Sequence, residues 1–182
     1  MEARHLSWNL RRIDTLGKIV TGKTPSSNFP EHFDGPFPFI TIPDLQDEMF
    51  MEETKRSISN AGAQKLKASV IPENSVCVSC IATIGKVGLT TKPSITNQQI
   101  NSIICNPDVD SVFLYYAMRH FSHALKFFIG GGAVVANISK SLFGKMKIYL
   151  PPFAEQKSIG EKLLLLDMMI DRNKMISDVS SG

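Results

Sequence analysis

The chain has 182 residues, 43% of them hydrophobic, and a formal net charge of +3. This is enough apolar material for one domain with a real core plus an appendage; it excludes a disordered polyelectrolyte, and the charge permits nucleic-acid binding through a local patch without requiring it. No apolar run approaches the ~20 residues of a membrane span, the start MEARHLSWNL lacks a signal core, and an odd count of three cysteines agrees with a reducing compartment, so a cytoplasmic protein is expected.

Leu10, Ile13, Leu16 and Ile19 recur every third residue and predict a short amphipathic segment leading into the domain. Gly17 to Thr24 then spells G-x-x-x-x-G-K-T, the pattern of a nucleotide-binding P-loop. That loop needs a buried strand before it and a helix after it. Here Arg11, Arg12 and Asp14 come before, and Pro25, Pro30, Pro36 and Pro38 come after, so no helix opens. What remains is a flexible loop whose Lys23, Thr24 and Ser26 suit phosphate contacts. Phe29, Phe33 and Phe37 are expected to pin loop 26–38 to the core, ahead of a short strand at 39–42. Residues 44–66 read as polar and irregular, pegged by Met49, Phe50, Met51 and Ile58. Lys55, Arg56, Gln64, Lys65 and Lys67 give this region the highest basic density in the chain. It is the first candidate for sequence readout, the alternative being a solvated surface.

Residues 75–81 are apolar and β-branched, which predicts a largely buried strand. Gly85 makes the turn and 87–90 the return strand of a hairpin. Lys92-Pro93-Ser94 breaks it, and 100–105 is a third strand closed by Asn106-Pro107. Between two strands lies the polar run Thr96-Asn97-Gln98-Gln99, with Lys86 on the preceding turn. Asn and Gln amides match the N6/N7 edge of adenine with two hydrogen bonds, and Lys binds phosphate or guanine. The alternative is that Asn97 caps a turn and Lys86 is solvated. Cys77 and Cys80 form C-x-x-C, but a four-thiolate zinc site needs a second pair, and a redox pair opens a helix. In a strand the two side chains point to opposite faces and serve as small core residues.

Asp110 or Ser111 caps a helix to about residue 128, with an apolar surface of Val112, Tyr115, Tyr116, Met118 and Leu125. His120 and His123 lack an acidic or thiol partner, so no metal site is expected. Gly130-Gly131-Gly132 ends the helix and, with Asn137, forms the second candidate readout segment. Residues 139–143 read as a helical turn and 146–150 as a final strand. Pro151-Pro152 marks a boundary, dividing the chain into 1–150 and 151–182. Leu150-Pro151-Pro152-Phe153 lacks the Asp or Asn that an adenine methyltransferase loop uses to hold its target amine, and no catalytic set or cofactor loop stands out. The last and longest helix, 155–177, places Ile159, Leu163, Leu166, Ile170 and Asn173 at 4-3-4-3 spacing, a coiled-coil seam. Two further apolar stripes leave only Asp167, Asp171 and Lys174 clearly wet. Such a helix calls for another helix as partner.

Together, SCIATIGKVG with TNQQ, GKTPS at 22–26, FITIPDL at 39–45, VDSVFLYYAM at 109–118 and ISKSLFGKMKIYLPPFAEQKSI at 138–159 resemble the DNA-specificity subunit of type I restriction–modification systems. More narrowly, they resemble one target-recognition domain and the start of its spacer helix. Ile81 departs from that pattern, which carries an arginine there in many members.

The resemblance implies an α+β fold, with a twisted, mainly antiparallel sheet and flanking helices, followed by the long coiled-coil-type helix. It implies a non-catalytic DNA-binding subunit that recognises one half of a bipartite target in double-stranded DNA. Methylation and restriction chemistry would lie in partner subunits, and no cofactor is expected. It places Lys23, Lys86 and Lys140 near phosphates. It favours base contacts from the segments containing Arg56, Gln64 and Lys65, and Asn137; amide chemistry adds Asn97, Gln98 and Gln99, although TNQQ recurs in the family across different targets and an architectural turn is the alternative there. The helix seam becomes an assembly surface, joining two copies if the chain is a half-subunit, or two halves if it is part of a longer one. A P-loop enzyme and a helix-only adaptor are the alternatives from other classes.

Overall fold

The computed structural model describes residues 7–46, 48–81, 83–129 and 137–180, the side chains of 122–129, 175 and 177–180 excepted. The elements are β1 (Asn9–Arg12), β2 (Gly17–Thr21), β3 (Phe33–Ile40), β4 (Phe50–Met51), β5 (Ser57–Ile58), α1 (Asn60–Lys65), β6 (Val70–Ile71), β7 (Val76–Ser79), β8 (Val87–Thr90), β9 (Ser94–Thr96), β10 (Ile100–Cys105), α2 (Ser111–Ile129), α3 (Lys140–Lys145), β11 (Lys147–Leu150) and α4 (Phe153–Ser180).

The strands divide into three sheets: β1-β11, β2-β10-β7-β8-β4 and β5-β3-β9-β6. Pairing is antiparallel except between β3 and β9 and between β4 and β8. The class is α+β with antiparallel pairing dominant, as expected. Alternation along each strand stacks the layers. Val76, Val78 and Cys80 face a cluster with Ile103, Leu114, Met118 and Phe143, whereas Cys77 faces Val20, Ile40, Leu45 and Ile100. Ile19 and Val20 of β2 split the same way. In β3 and β6, Ile40 and Ile71 turn toward the cluster of Cys77, and Phe39 and Val70 turn toward Ile58, Ala63 and Leu66. The order is therefore α2 with α3, the five-stranded sheet, the four-stranded sheet, then α1. Because β7 and β8 are covered on both faces, all their residues are buried, which is why they read as near-continuous apolar runs. The two cysteines lie on opposite faces, and burial pushes the Cys77 thiol up to about 12.

Asp110 caps α2: its Oδ1 accepts from Phe113 N at 2.8 Å. Ser139 caps α3, accepting from Leu142 N at 3.2 Å. Gly85 takes the hairpin turn at φ 86°, a conformation that disfavours a Cβ.

Four expectations give way. Residues 10–19 are not one amphipathic segment but a strand, a 3-10 turn at Ile13–Thr15 and a second strand; Ile13, Leu16 and Ile19 are buried one by one, and Leu10 is exposed. Loop 26–38 turns into β3 at Phe33, where Phe33 and Phe37 pack on the outer cluster while Phe29 stands exposed. Ser94 does not merely end the hairpin, because β9 follows at once in the other sheet, parallel to β3. The region 44–66 contains α1, capped by Ser59 accepting from Gly62 N.

The helix α4 leans on α2 for its first half. Ile159 and Leu164 pack against the main cluster, and Tyr116 Oη donates to Asp167 Oδ2 at 2.8 Å. Farther along, Met168, Met169, Ile170 and Ile176 are each more than half exposed. Among the described residues no helix is long and apolar enough to cross a membrane.

Candidate functional site

The GKT segment after β2 and the turn before β10 interlock. Gly22 N donates to Ile100 O at 3.1 Å and Lys23 N to Thr96 O at 2.9 Å. A Cβ at Gly22 would lie 2.1 Å from Asn97 O and 2.2 Å from Thr96 Oγ1, so only glycine allows this approach. Thr24 Oγ1 donates to Gln98 Oε1 at 2.7 Å. Asn97 N reaches across to Ile40 O at 3.0 Å, tying the turn to β3 as well. No helix follows Thr24, since residues 22–29 are irregular; the P-loop pattern at 17–24 is a strand entering a loop.

The hairpin end joins the same rim. Gln99 O accepts from Cys80 N, and Cys80 O accepts from Ile138 N, both at 2.8 Å. Ile81 pairs with Asn137 in an isolated bridge. Lys86 N donates to Ser79 Oγ at 2.9 Å. Lys23, Thr24, Lys86, Asn97, Gln98, Gln99 and Asn137 are thus brought to one edge of the stacked sheets by bonds among their own connections. The glycine run 130–132 lies outside the described residues.

Within this rim the amides do two jobs. Asn97 uses both ends of its side chain on Gln99: Nδ2 donates to Oε1 at 3.0 Å, and Oδ1 accepts from the Gln99 backbone N at 3.1 Å. That is the turn-capping geometry of asparagine. Gln98 is exposed and Gln99 half-buried; Gln99 Oε1 is engaged inside the turn and Gln98 Oε1 by Thr24 of the neighbouring loop, and among the described residues neither Nε2 atom has a protein partner. Thr96 is buried, its Oγ1 without a partner and pressed against Gly22.

Other anticipated residues lie elsewhere. Arg56 sits over the rings of Phe33 and Phe39, 4.6 and 5.6 Å from their centroids, a cation–π arrangement. Its carbonyl accepts from Phe39 N, one residue along β3 from the bond between Ile40 and Asn97. Gln64 and Lys65 are exposed on α1, on the outer layer. Ser26 Oγ accepts from Asn28 N and shapes its own loop. Lys140 belongs to a groove with Arg12, Lys18 and Lys145. On α4, Ile159 and Leu163 are half-buried, whereas Leu166 and Ile170 are exposed, as is Asn173.

Several residues were missed. Gln156 is 1% exposed. Its Oε1 accepts from Asp110 N at 2.9 Å, and its Nε2 donates to the carbonyls of Pro151 and Asp108 at 2.9 and 3.1 Å. It fastens the start of α4 to the start of α2. Trp8 Nε1 adds a bond to Glu155 Oε1 at 3.1 Å. Neither residue falls on an apolar period, and a single buried amide leaves no pattern to find.

The model of the type I restriction modification DNA specificity domain matches residues 6–178. The chain belongs to this family. Among curated specificity subunits, the type I restriction enzyme HindI specificity subunit of Haemophilus influenzae is 41% identical over 146 residues, covering 79% of this chain and 32% of that protein. The MjaIX specificity subunit of Methanocaldococcus jannaschii is 27% identical over 176 residues, covering 94% and 40%. Among solved structures, one describing complex assembly and conformational transition of the type I R-M system superposes with a TM-score of 0.75 at 17% identity, covering 96% of this chain and 41% of that one. The HsdS subunit from Thermoanaerobacter tengcongensis gives 0.69 at 18% identity, covering 94% and 40%. At such identities the superpositions speak for the fold. The specificity-family chain described here spans about a third to two fifths of the length of these relatives.

Proposed function

We propose that this specificity-family domain binds double-stranded DNA without catalysis and reads one half of a bipartite target. The observation that carries this reading is the convergence of Lys23, Lys86, Gln98, Gln99 and Asn137 on one rim, locked by backbone hydrogen bonds. Lysines supply phosphate contacts that hold register, and the free amide donors address base edges. The region around Arg56, Gln64 and Lys65 extends the readout from the outer layer. The methylation and restriction activities belong to partner subunits, and the exposed apolar face of α4 is where a second helix packs, from a second copy or from the other half of a longer subunit. The setting is the cytoplasm, where the target DNA is.

Selection of bound duplexes from a random pool tests the reading. The wild type should enrich one short motif. Gln98→Ala should relax the preference at one base pair by about 1–3 kcal/mol while leaving random duplexes bound as before. Enrichment no better than for an unrelated protein would remove the proposal.

A further inference from the structure

A second feature lies beside the rim. Between α3 and the corner joining β1 to β2 runs a groove of about 570 Å³, walled by Arg12, Lys18, Lys140 and Lys145. Its one carboxylate, Asp14, is held by Arg12 through two hydrogen bonds, Nε to Oδ1 at 3.0 Å and the second guanidinium nitrogen to Oδ2. Among the described residues no ion pair involves Lys18, Lys140 or Lys145. Four cations against one carboxylate leave an excess equal to the +3 of the whole chain, gathered in one concavity. At the floor of the groove α3 lies close on the corner, a Cβ on Gly144 falling 3.1 Å from Asp14 Cβ. A concave site lined by one sign of charge concentrates counter-ions. The lysines are exposed point charges on flexible stems, and such groups bind phosphate without reading sequence. Asn137, bridged to Ile81 at the rim, precedes Lys140 by three residues, at most about 11 Å of chain.

We propose that this groove holds the sugar–phosphate backbone of duplex DNA beyond the base pairs that the rim addresses. The inference rests on the DNA-recognition reading above. It makes Lys18 and Lys145 contact residues, and it moves Lys140 from the rim to a separate phosphate site.

The test uses the full chain and a fluorescent duplex of random sequence titrated across salt concentrations. The variant Lys18→Ala/Lys140→Ala/Lys145→Ala should lower the slope of log K against log salt by up to about 2.7, at about 0.9 per phosphate. Lys157→Ala/Lys162→Ala on the exposed side of α4 should leave it unchanged. On the wild type, duplex should protect the Lys18, Lys140 and Lys145 amines from acetylation, a readout that does not depend on how the variant folds. An unchanged slope together with unprotected lysines overturns the groove assignment while leaving the rim reading intact. A variant that keeps its DNA slope but loses association with the methylation subunits also overturns it, in favour of an acidic protein surface. A wild type that binds no duplex at low salt instead removes the DNA-recognition reading beneath both.

Discussion

At the residue scale, the rim depends on a missing side chain more than on any present one. Gly22 lies where a methyl group would overlap both Thr96 Oγ1 and the Asn97 carbonyl, at 2.2 and 2.1 Å. Neither neighbour can step aside: Thr96 is buried in β9, and the Asn97 carbonyl accepts from Ile100 N. Gly22→Ala is therefore expected to cost about 1–3 kcal/mol by overpacking and to weaken binding to every DNA sequence, because it displaces the loop bearing Lys23 and Thr24. Urea unfolding and duplex titration measure the two effects; a variant as stable as the wild type would show that the loop yields. Which amides matter was only half legible in the sequence. The run Thr96-Asn97-Gln98-Gln99 announced a hydrogen-bonding turn, and that is what formed. That Asn97 serves the turn follows from Gln99, two residues on, and was open to a local reading; that Gln98 is held by Thr24, more than seventy positions earlier, is encoded in no local pattern.

At the scale of elements, the hairpin, the strand at 100–105, the capped helix after Asp110 and the long terminal helix were all legible, because each has a β-branched run, a cap or an apolar period of its own. The strands β1 and β9 were not. Each exists through a partner distant in sequence, β11 for one and β3 and β6 for the other, and pairing of that kind overrides local propensity. The joint between α2 and α4 is another such contact. Tyr116 donates to Asp167, and Arg119 stands 3.8 Å from the same carboxylate. Burial, then the hydrogen bond to Asp167, raises the Tyr116 pKa above its ordinary 10.0. A folded-state pKa above the unfolded one means that this contribution to stability is whole below about pH 10 and is lost as pH rises through the folded value. Tyr116→Phe should cost about 1 kcal/mol at neutral pH, and the gap between wild type and variant should close above pH 10. Denaturation at pH 7.5 and pH 10.5 checks this, and a gap independent of pH would separate the stability from the phenol.

At the scale of the whole molecule, α4 divides its apolar surface between two duties. Ile159 and Leu164 pack against the domain, while Leu166 and Ile170 are 52% and 51% exposed; on the proposed assembly reading they meet a partner helix. Leu166→Ser/Ile170→Ser should therefore lower the solution mass of the chain, or abolish its association with the methylation subunits, without changing the melting of the domain. Each leucine or isoleucine buried in such a pairing contributes about 1.5–3 kcal/mol. Light scattering with a thermal melt distinguishes this from a helix that belongs only to its own domain, for which the melt would fall and the mass would not. The fastening of α4 at its root has a mechanical meaning. A helix of 28 residues is about 42 Å long. If its root tilted by ~10°, the far end would swing by ~7 Å, about two steps of a DNA strand at ~3.4 Å each. Gln156, the Trp8–Glu155 bond and the Tyr116–Asp167 bond stiffen the base of a lever. A loosened base would pass through the helix as a displacement of its far end, so Gln156, Trp8 and Tyr116 bear on the position of a surface that they do not touch.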